Sequence, residues 1–243
     1  MSGKVYFITG GNQGIGFQLV KQLSELNPKN TVITGIRDIS NPSEDLKQLS
    51  VSNNNVKFIE LDISSQSSID SFVENLIKAT PNGSIDVFIQ NAGIGKDFKS
   101  TVNETDRSKW IEHYQTNSLG PILTFQKLYP LLKKSDVKQA IFISSLLGSI
   151  SGYVPRPSGA YGQSKAALNY SIRSLSHELG PEGFTFIAVH PGVVSTKLYS
   201  KAGLNSEAIT AEESAKLQID YYEKLTPELN GTYWSIKGEV LPW

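Results

Sequence analysis

The sequence predicts a doubly wound α/β fold: a parallel sheet of about seven strands with helices on both faces. Three observations predict it. Short β-branched or aromatic runs recur at residues 5–8, 31–34, 56–61, 85–89, 139–144, 185–189 and 232–235. Between them lie longer stretches with apolar spacing near 3.6, such as Ile15, Leu19, Val20, Leu23 and Leu26, or Ile69, Phe72, Val73, Leu76 and Ile77. Strands alternating with helices join through right-handed crossovers and so lie parallel. The strand runs are also nearly continuous in apolar residues, as burial on both faces requires.

The elements follow in order. Strand 5–8 runs into Thr9-Gly10-Gly11-Asn12-Gln13-Gly14-Ile15-Gly16, which opens the first helix. A glycine-rich turn there lets backbone approach a pyrophosphate, and the helix N-terminus offers free N–H groups and the positive end of its dipole. Asn53-Asn54-Asn55 and Pro81-Asn82-Gly83 read as turns before the third and fourth strands. After strand 139–144 comes an irregular stretch, residues 146–159, with few periodic apolar positions; residues 195–208 form a second. Long loops in compact domains are often functional.

Bulk properties narrow the function. At 243 residues, without repeats or a linker-like tract, one domain spanning residues 1–243 is expected. Zero formal net charge and scattered basic residues give no pull toward nucleic acid, so no such partner is expected. No apolar run approaches the ~20 residues of a membrane helix, and Met1-Ser2-Gly3-Lys4 lacks the pattern of a secretory leader. A cytoplasmic protein with no membrane partner is the expectation. The absence of cysteine removes disulfides, thiolate metal sites and cysteine nucleophiles. His113, His177 and His190 show no ligand spacing, so no metal is expected. No Gly-x-Ser-x-Gly elbow suggests a hydrolase.

Tyr161-Gly162-Gln163-Ser164-Lys165 opens another helix, where positions 161 and 165 share a face. Reducing a carbonyl requires hydride at carbon and a proton at oxygen. An isolated phenol, pKa ~10, is a sluggish participant near neutrality. A nearby ammonium favours the phenolate and is expected to draw that pKa down.

The glycine spacing Gly-x-x-x-Gly-x-Gly, with Thr9 in front, resembles the cofactor loop of the short-chain dehydrogenase/reductase family. Further landmarks of that family follow in order along nearly the whole chain. Asp62-Ile63 resembles its adenine-contacting pair, and Asn91-Ala92-Gly93 its Asn-Asn-Ala-Gly element, with Gln90 in place of the first asparagine. Pro191-Gly192, with Val194 and Thr196, resembles the segment that holds nicotinamide and phosphate. Tyr161, Lys165, Ser145 and Asn117 occupy the four catalytic positions of the family. Ser145 matches better than Ser144, because the family motif carries a glycine three residues later, here Gly148.

The resemblance implies a Rossmann-type fold and an NADP(H) cofactor held by Gly10, Asn12, Gln13, Gly14, Ile15, Gly16, Arg37, Asp62, Ile63, Asn91, Ala92, Gly93, Tyr161, Lys165, Pro191, Gly192, Val194 and Thr196. NADP(H) is favoured over NAD because Ile36 stands where an NAD enzyme places a carboxylate, and Arg37 follows. A guanidinium can grip a 2′-phosphate; the alternative is a solvated Arg37 paired with Asp38. A small-molecule carbonyl substrate is expected to meet Ser145, Leu146, Leu147, Tyr153, Leu198, Tyr199 and Leu204, whose character suggests an aromatic or diketone compound. In the family, the asparagine bends its helix and holds a water that links the lysine to solvent. Family resemblance also implies a homodimer or homotetramer built on the helices at residues 117–132 and 161–179. The longer stretch before Tyr161 and the closing Gly238-Glu239-Val240-Leu241-Pro242-Trp243 resemble the C-factor-like and small carbonyl-reductase branch. A non-catalytic NADP(H) sensor and an NAD-linked alcohol dehydrogenase remain the alternatives.

Overall fold

The computed structural model describes residues 3–96, 98, 100–196 and 208–243. Leu198, Tyr199 and Leu204 lie outside the described residues. The first half of the chain runs β1 (Val5–Thr9), α1 (Gly14–Leu26), β2 (Thr31–Ile36), α2 (Glu44–Ser52), β3 (Val56–Glu60), α3 (Gln66–Ala79) and β4 (Val87–Gln90). The second runs α4 (Arg107–Tyr114), a π-helical turn (Gln115–Leu119), α5 (Gly120–Leu132), β5 (Gln139–Ile143), α6 (Gly159–Leu179), β6 (Thr185–His190), α7 (Ala211–Tyr222) and β7 (Thr232–Ser235). The seven strands form one parallel sheet in the order β3-β2-β1-β4-β5-β6-β7, a Rossmann-like α/β arrangement. Strand order reverses between β1 and β4, and a ligand crevice opens at such a switch point, outside the carboxyl ends of the strands.

Alternate strand residues feed two cores. Phe7, Phe88, Phe142 and Phe186 pack beneath α3, α5 and α6. Tyr6, Ile8, Ile89, Ile141 and Val189 pack beneath α1 and α7. Such double burial explains the unbroken apolar runs in the sequence. Two boundaries differ from the sequence expectation by two residues, the others by one at most. β2 runs on through Gly35 and Ile36 because both pair in the ladders, Gly35 with Thr9 and Ile36 with Glu60, which holds a locally turn-prone residue extended. β4 begins at Val87: the Ile85 N–H goes to the Leu131 carbonyl of α5 at 3.3 Å, away from the sheet. Among the described residues, no helix is long and apolar enough to cross a membrane.

The junction of α4 and α5 shapes the site. The Gly120 N–H returns to the Gln115 carbonyl, five residues back, which gives one π-helical turn around Asn117. A Cβ on Gly120 would stand 2.0 Å from the Ile63 carbonyl oxygen. Glycine is thus the residue that lets this bulged helix lie against the end of β3. Single π turns inside α-helices often mark functional sites.

Candidate active site

The glycine loop is stitched to the end of β4. The Thr9 hydroxyl accepts from the N–H groups of Asn91 (3.1 Å) and Ala92 (3.0 Å), while Asn91 Nδ2 donates to the Thr9 carbonyl at 3.0 Å. Gly10 and Gly14 adopt φ of +75° and +59°, a region that favours glycine. A Cβ on Gly16 would meet the Gly10 carbonyl oxygen at 2.2 Å and Asn91 Nδ2 at 2.5 Å. Helix α1 starts at this loop without a side-chain cap, whereas Ser43, Ser65, Asp106 and Thr210 cap α2, α3, α4 and α7. First-turn N–H groups without a side-chain acceptor, on a backbone with no Cβ in the way, fit a pyrophosphate. Thr196 stands opposite: a Cβ on Gly14 would lie 3.6 Å from its methyl carbon.

The other expected cofactor residues divide. Gln13 is exposed and Ile15 half-buried. The Asn12 carbonyl oxygen Oδ1 accepts from the Ser43 N–H at 2.7 Å, so it tethers the start of α2. Arg37 is exposed and makes no ion pair among the described residues, while the Asp38 carboxylate accepts from Ser40 N and Oγ at 3.0 and 2.6 Å. The alternative of an Arg37–Asp38 pair is therefore not what the structure shows. The Asp62 carboxylate accepts from Ser64 N and Oγ at 2.9 and 2.7 Å, and the Ile63 side chain belongs to the core. Gln90, where the family carries asparagine, donates to the Ala92 carbonyl at 3.0 Å, and its own side-chain oxygen is buried without a partner.

Gly192, at φ +80°, turns the chain after β6, and Val194 bridges to Ile209. The Pro191 carbonyl accepts from Ser214 Oγ at 2.7 Å. Behind it a buried polar stripe runs along α7: Gln218 Nε2 donates to Ser214 Oγ at 2.9 Å, and the Tyr222 hydroxyl donates to Gln218 Oε1 at 2.6 Å. Sequence reasoning missed this stripe. Its one signal was polar residues at positions 214, 218 and 222, a single helical face.

Tyr161, Lys165, Ser145 and Asn117 converge at the carboxyl ends of β4 and β5, all buried. The Asn117 amide is fully engaged: Oδ1 accepts from Ile94 N at 2.8 Å, and Nδ2 donates to the Ile94 carbonyl (2.9 Å) and to Ser164 Oγ (3.0 Å). Lys165 Nζ donates to the Ile143 carbonyl at 2.8 Å. A Cβ on Gly93 would lie 3.0 Å from Asn117 Oδ1 and 3.7 Å from Lys165 Nζ, so Gly93 joins the glycine-loop side to the lysine side. Neither Phe98 nor His113 was singled out from sequence for this site. The Phe98 ring packs on Tyr161 with centroids 4.8 Å apart, and His113 meets it edge-on at 6.4 Å.

One electrostatic expectation is corrected. The Tyr161 phenol is raised above its ordinary value, because burial pushes it up while the Ser145 hydroxyl beside it acts in the opposite direction. Lys165 is not among the groups acting on it, and burial pulls the lysine itself down to about 8. Desolvation outweighs the charge effect that sequence proximity suggested. The result is a phenol that keeps its proton.

The irregular stretch behaves in two ways. Leu147 packs against Tyr161 and Phe98. Leu146 and Leu147 form a short 3₁₀ turn capped by Ser145. Tyr153 is 70% exposed and lines an open cavity of about 830 Å³. That cavity meets α6 at Gly159, Gly162, Gln163 and Ala166. At about 100° per residue Gly159, Gln163 and Ala166 face away from Tyr161 and Lys165, while Leu147 and Gly148 line the same cavity from the side of the Ser145 turn. The stretch is seamed to the far end of the chain: Ile150 and Ser151 donate N–H groups to the Trp243 oxygen, and Ser149 Oγ donates to the Pro242 carbonyl at 2.7 Å.

Comparisons with known proteins agree with this geometry. The short chain dehydrogenase family model matches residues 4–207. The uncharacterized oxidoreductase YKL071W of Saccharomyces cerevisiae is 43% identical over 249 residues, covering 96% of this chain and 95% of its own. The carbonyl reductase Sniffer of D. melanogaster superposes with a TM-score of 0.91 at 28% identity, over 99% of this chain and 100% of that one. The NADPH-bound carbonyl reductase from chicken fatty liver reaches 0.91 at 26% identity, over 100% of both chains. With its glycine loop at the switch point and a buried Tyr-Lys helix beside it, the chain belongs to the short-chain dehydrogenase/reductase family of oxidoreductases, and its structural neighbours include carbonyl reductases.

Proposed function

We propose that this chain, acting as a single domain, is an NADPH-dependent carbonyl reductase for ketones or aldehydes, with Tyr161 as the general acid. The observation that carries the reading is the convergence of buried Tyr161, Lys165, Ser145 and Asn117 at the carboxyl ends of β4 and β5, next to the glycine loop. An acid must hold its proton at the working pH, and a positioned acid contributes typically ~10²–10⁴ in rate.

NADPH, when bound along the glycine loop, supplies the hydride that reduces the carbonyl carbon. The residues do the rest. Gly10, Gly14, Gly16 and the first turn of α1 accommodate the pyrophosphate, with Thr196 opposite. Arg37, exposed and without an ion pair among the described residues, is available to a 2′-phosphate. Tyr161 gives its proton to the substrate oxygen, Ser145 donates a hydrogen bond to the same oxygen, and Lys165 supplies positive charge beneath them. Asn117 fixes the Ile94 backbone, beside the Gly93 that joins the glycine-loop side to Lys165. Leu147 and Phe98 against Tyr161 give the substrate an apolar surround, and aromatic ketones and diketones are the first compounds to try. Exposed Ile111, Tyr114, Leu119 and Tyr170 on α4 to α6 support a homodimer or homotetramer built there.

The test is Tyr161→Phe assayed for NADPH consumption over a carbonyl panel. At least a hundredfold loss of kcat is expected, with NADPH binding retained. Full activity in the variant would end this reading, and binding without turnover in the parent protein would favour a sensor.

A further inference from the structure

We propose that Asn169 is a positioning residue that holds Ser145 in place through one side-chain amide. Resting on the reductase reading above, the proposal adds a residue that no motif marks. Asn169 lies on α6 one turn beyond Lys165 and is 3% exposed. Its Oδ1 accepts from the Ser144 hydroxyl at 2.5 Å, and its Nδ2 donates to the Gly148 carbonyl at 3.2 Å. Ser144 and Gly148 bracket Ser145, Leu146 and Leu147. A single planar amide therefore clamps both ends of the turn that carries Ser145, and clamps it to the helix that carries Tyr161.

Two further contacts leave the turn little freedom. A Cβ on Gly148 would stand 2.7 Å from the backbone carbon and Cβ of Lys165, so the turn already sits as close to α6 as backbone allows. Ser145 Oγ also accepts from Leu147 N at 3.3 Å, which fixes the cap within the turn. Asparagine suits the position because one group must accept and the other donate, both in the same plane. Neither leucine nor aspartate can do both. The Ser144 hydroxyl, which sequence reasoning weighed as the second candidate for touching substrate, is thereby assigned to Asn169.

The position of Ser145 against Tyr161 matters because both act on one substrate oxygen. A displacement of about 1 Å in such a pair can cost about 100-fold in rate. Four proteins are compared: the parent, Ser145→Ala, Asn169→Leu and the double variant. Asn169→Leu is expected to lower kcat by about 10- to 100-fold while the KM for the carbonyl and the Kd for NADPH stay within about twofold. In the Ser145→Ala background the same change is expected to cost less than about twofold, because residues that act as a unit are not additive. Additive losses, or loss of NADPH binding in step with kcat, would overturn the proposal, since a merely structural role predicts them. Should Asn169→Leu fail to fold, Ser144→Ala and Ser144→Ala/Ser145→Ala carry the same comparison with a smaller single loss. Failure of the parent protein to reduce any carbonyl would defeat the reductase reading instead. A crystal structure of Asn169→Leu, or of Ser144→Ala, then decides the matter alone: Ser145 Oγ shifted away from Tyr161 supports the proposal, and Ser145 Oγ in its place refutes it.

Discussion

Lys165 is where residue-scale chemistry departs most from intuition. An ammonium four residues from a phenol reads, in sequence, as a charge that lowers the phenol. Burial is invisible at that level, and here it governs both groups: the phenol rises and the lysine falls to about 8. That these four positions converge was therefore legible from spacing and flanking motifs, and their electrostatics were not. A consequence for rate follows. Tyr161 stays protonated through the alkaline range, so the group that titrates first is Lys165. In the reductive direction kcat/KM for NADPH is expected to fall as pH rises through about 8, where the ammonium of the free protein is lost. A profile flat to pH 10 would remove Lys165 from the charge-supplying role. Arg37 yields a second residue-scale expectation: Arg37→Ala should raise the KM for NADPH by about tenfold or more and leave that for NADH nearly unchanged, as loss of a charge-assisted pair worth roughly 1.5–3 kcal/mol implies. Equal effects on the two cofactors would count against its contact with a 2′-phosphate.

At the scale of elements, the strands were legible because two-sided burial leaves an unbroken apolar signature. The helices were legible because one face of each packs on the sheet. What escaped were features fixed by the packing of one element on another. A bend at Asn117 was implied by the family resemblance, yet the contact that needs glycine there, the Ile63 carbonyl oxygen 2.0 Å from where a Cβ on Gly120 would stand, exists only in the fold. The polar stripe on α7 is similar, since buried serine, glutamine and tyrosine look like a solvated face until Pro191 is placed beside them. That stripe holds the turn that follows β6, so Ser214→Ala is expected to weaken NADPH binding about three- to tenfold by freeing the Pro191 carbonyl, at about 1 kcal/mol for the lost hydrogen bond. Fluorescence titration of NADPH measures it, and unchanged binding with an unchanged melting temperature would show that the stripe carries nothing to the site. The irregular stretch before α6 was expected to be functional, but its division between Tyr161 and an open cavity could not be read, because a loop carries no periodicity.

For the whole molecule, the buried lysine is also a stability statement. Between about pH 8 and its ordinary value of 10.5, the unfolded chain holds a proton that folded Lys165 has released. Stability from this group is therefore present at high pH and is lost as pH falls through about 8. The upper scale is roughly 3 kcal/mol, at about 1.4 kcal/mol per pH unit. Above pH 10 the buried tyrosines oppose it, since their raised values give stability that is full below their ordinary range and lost as pH climbs. Lys165→Met is accordingly expected to melt at higher temperature than the parent protein at pH 7, with the difference shrinking toward pH 10. A parent protein as stable as the variant at pH 7 would contradict the burial of a charged Lys165.

The seam between residues 149–151 and residues 242–243 joins stretches that lie 93 positions apart at the Ser149–Pro242 contact. β7, just before the second stretch, closes one edge of the sheet. The approach to the helix of Tyr161 and Lys165 is therefore braced from that edge, and a perturbation that loosens the outermost strand reaches the catalytic helix through backbone hydrogen bonds alone.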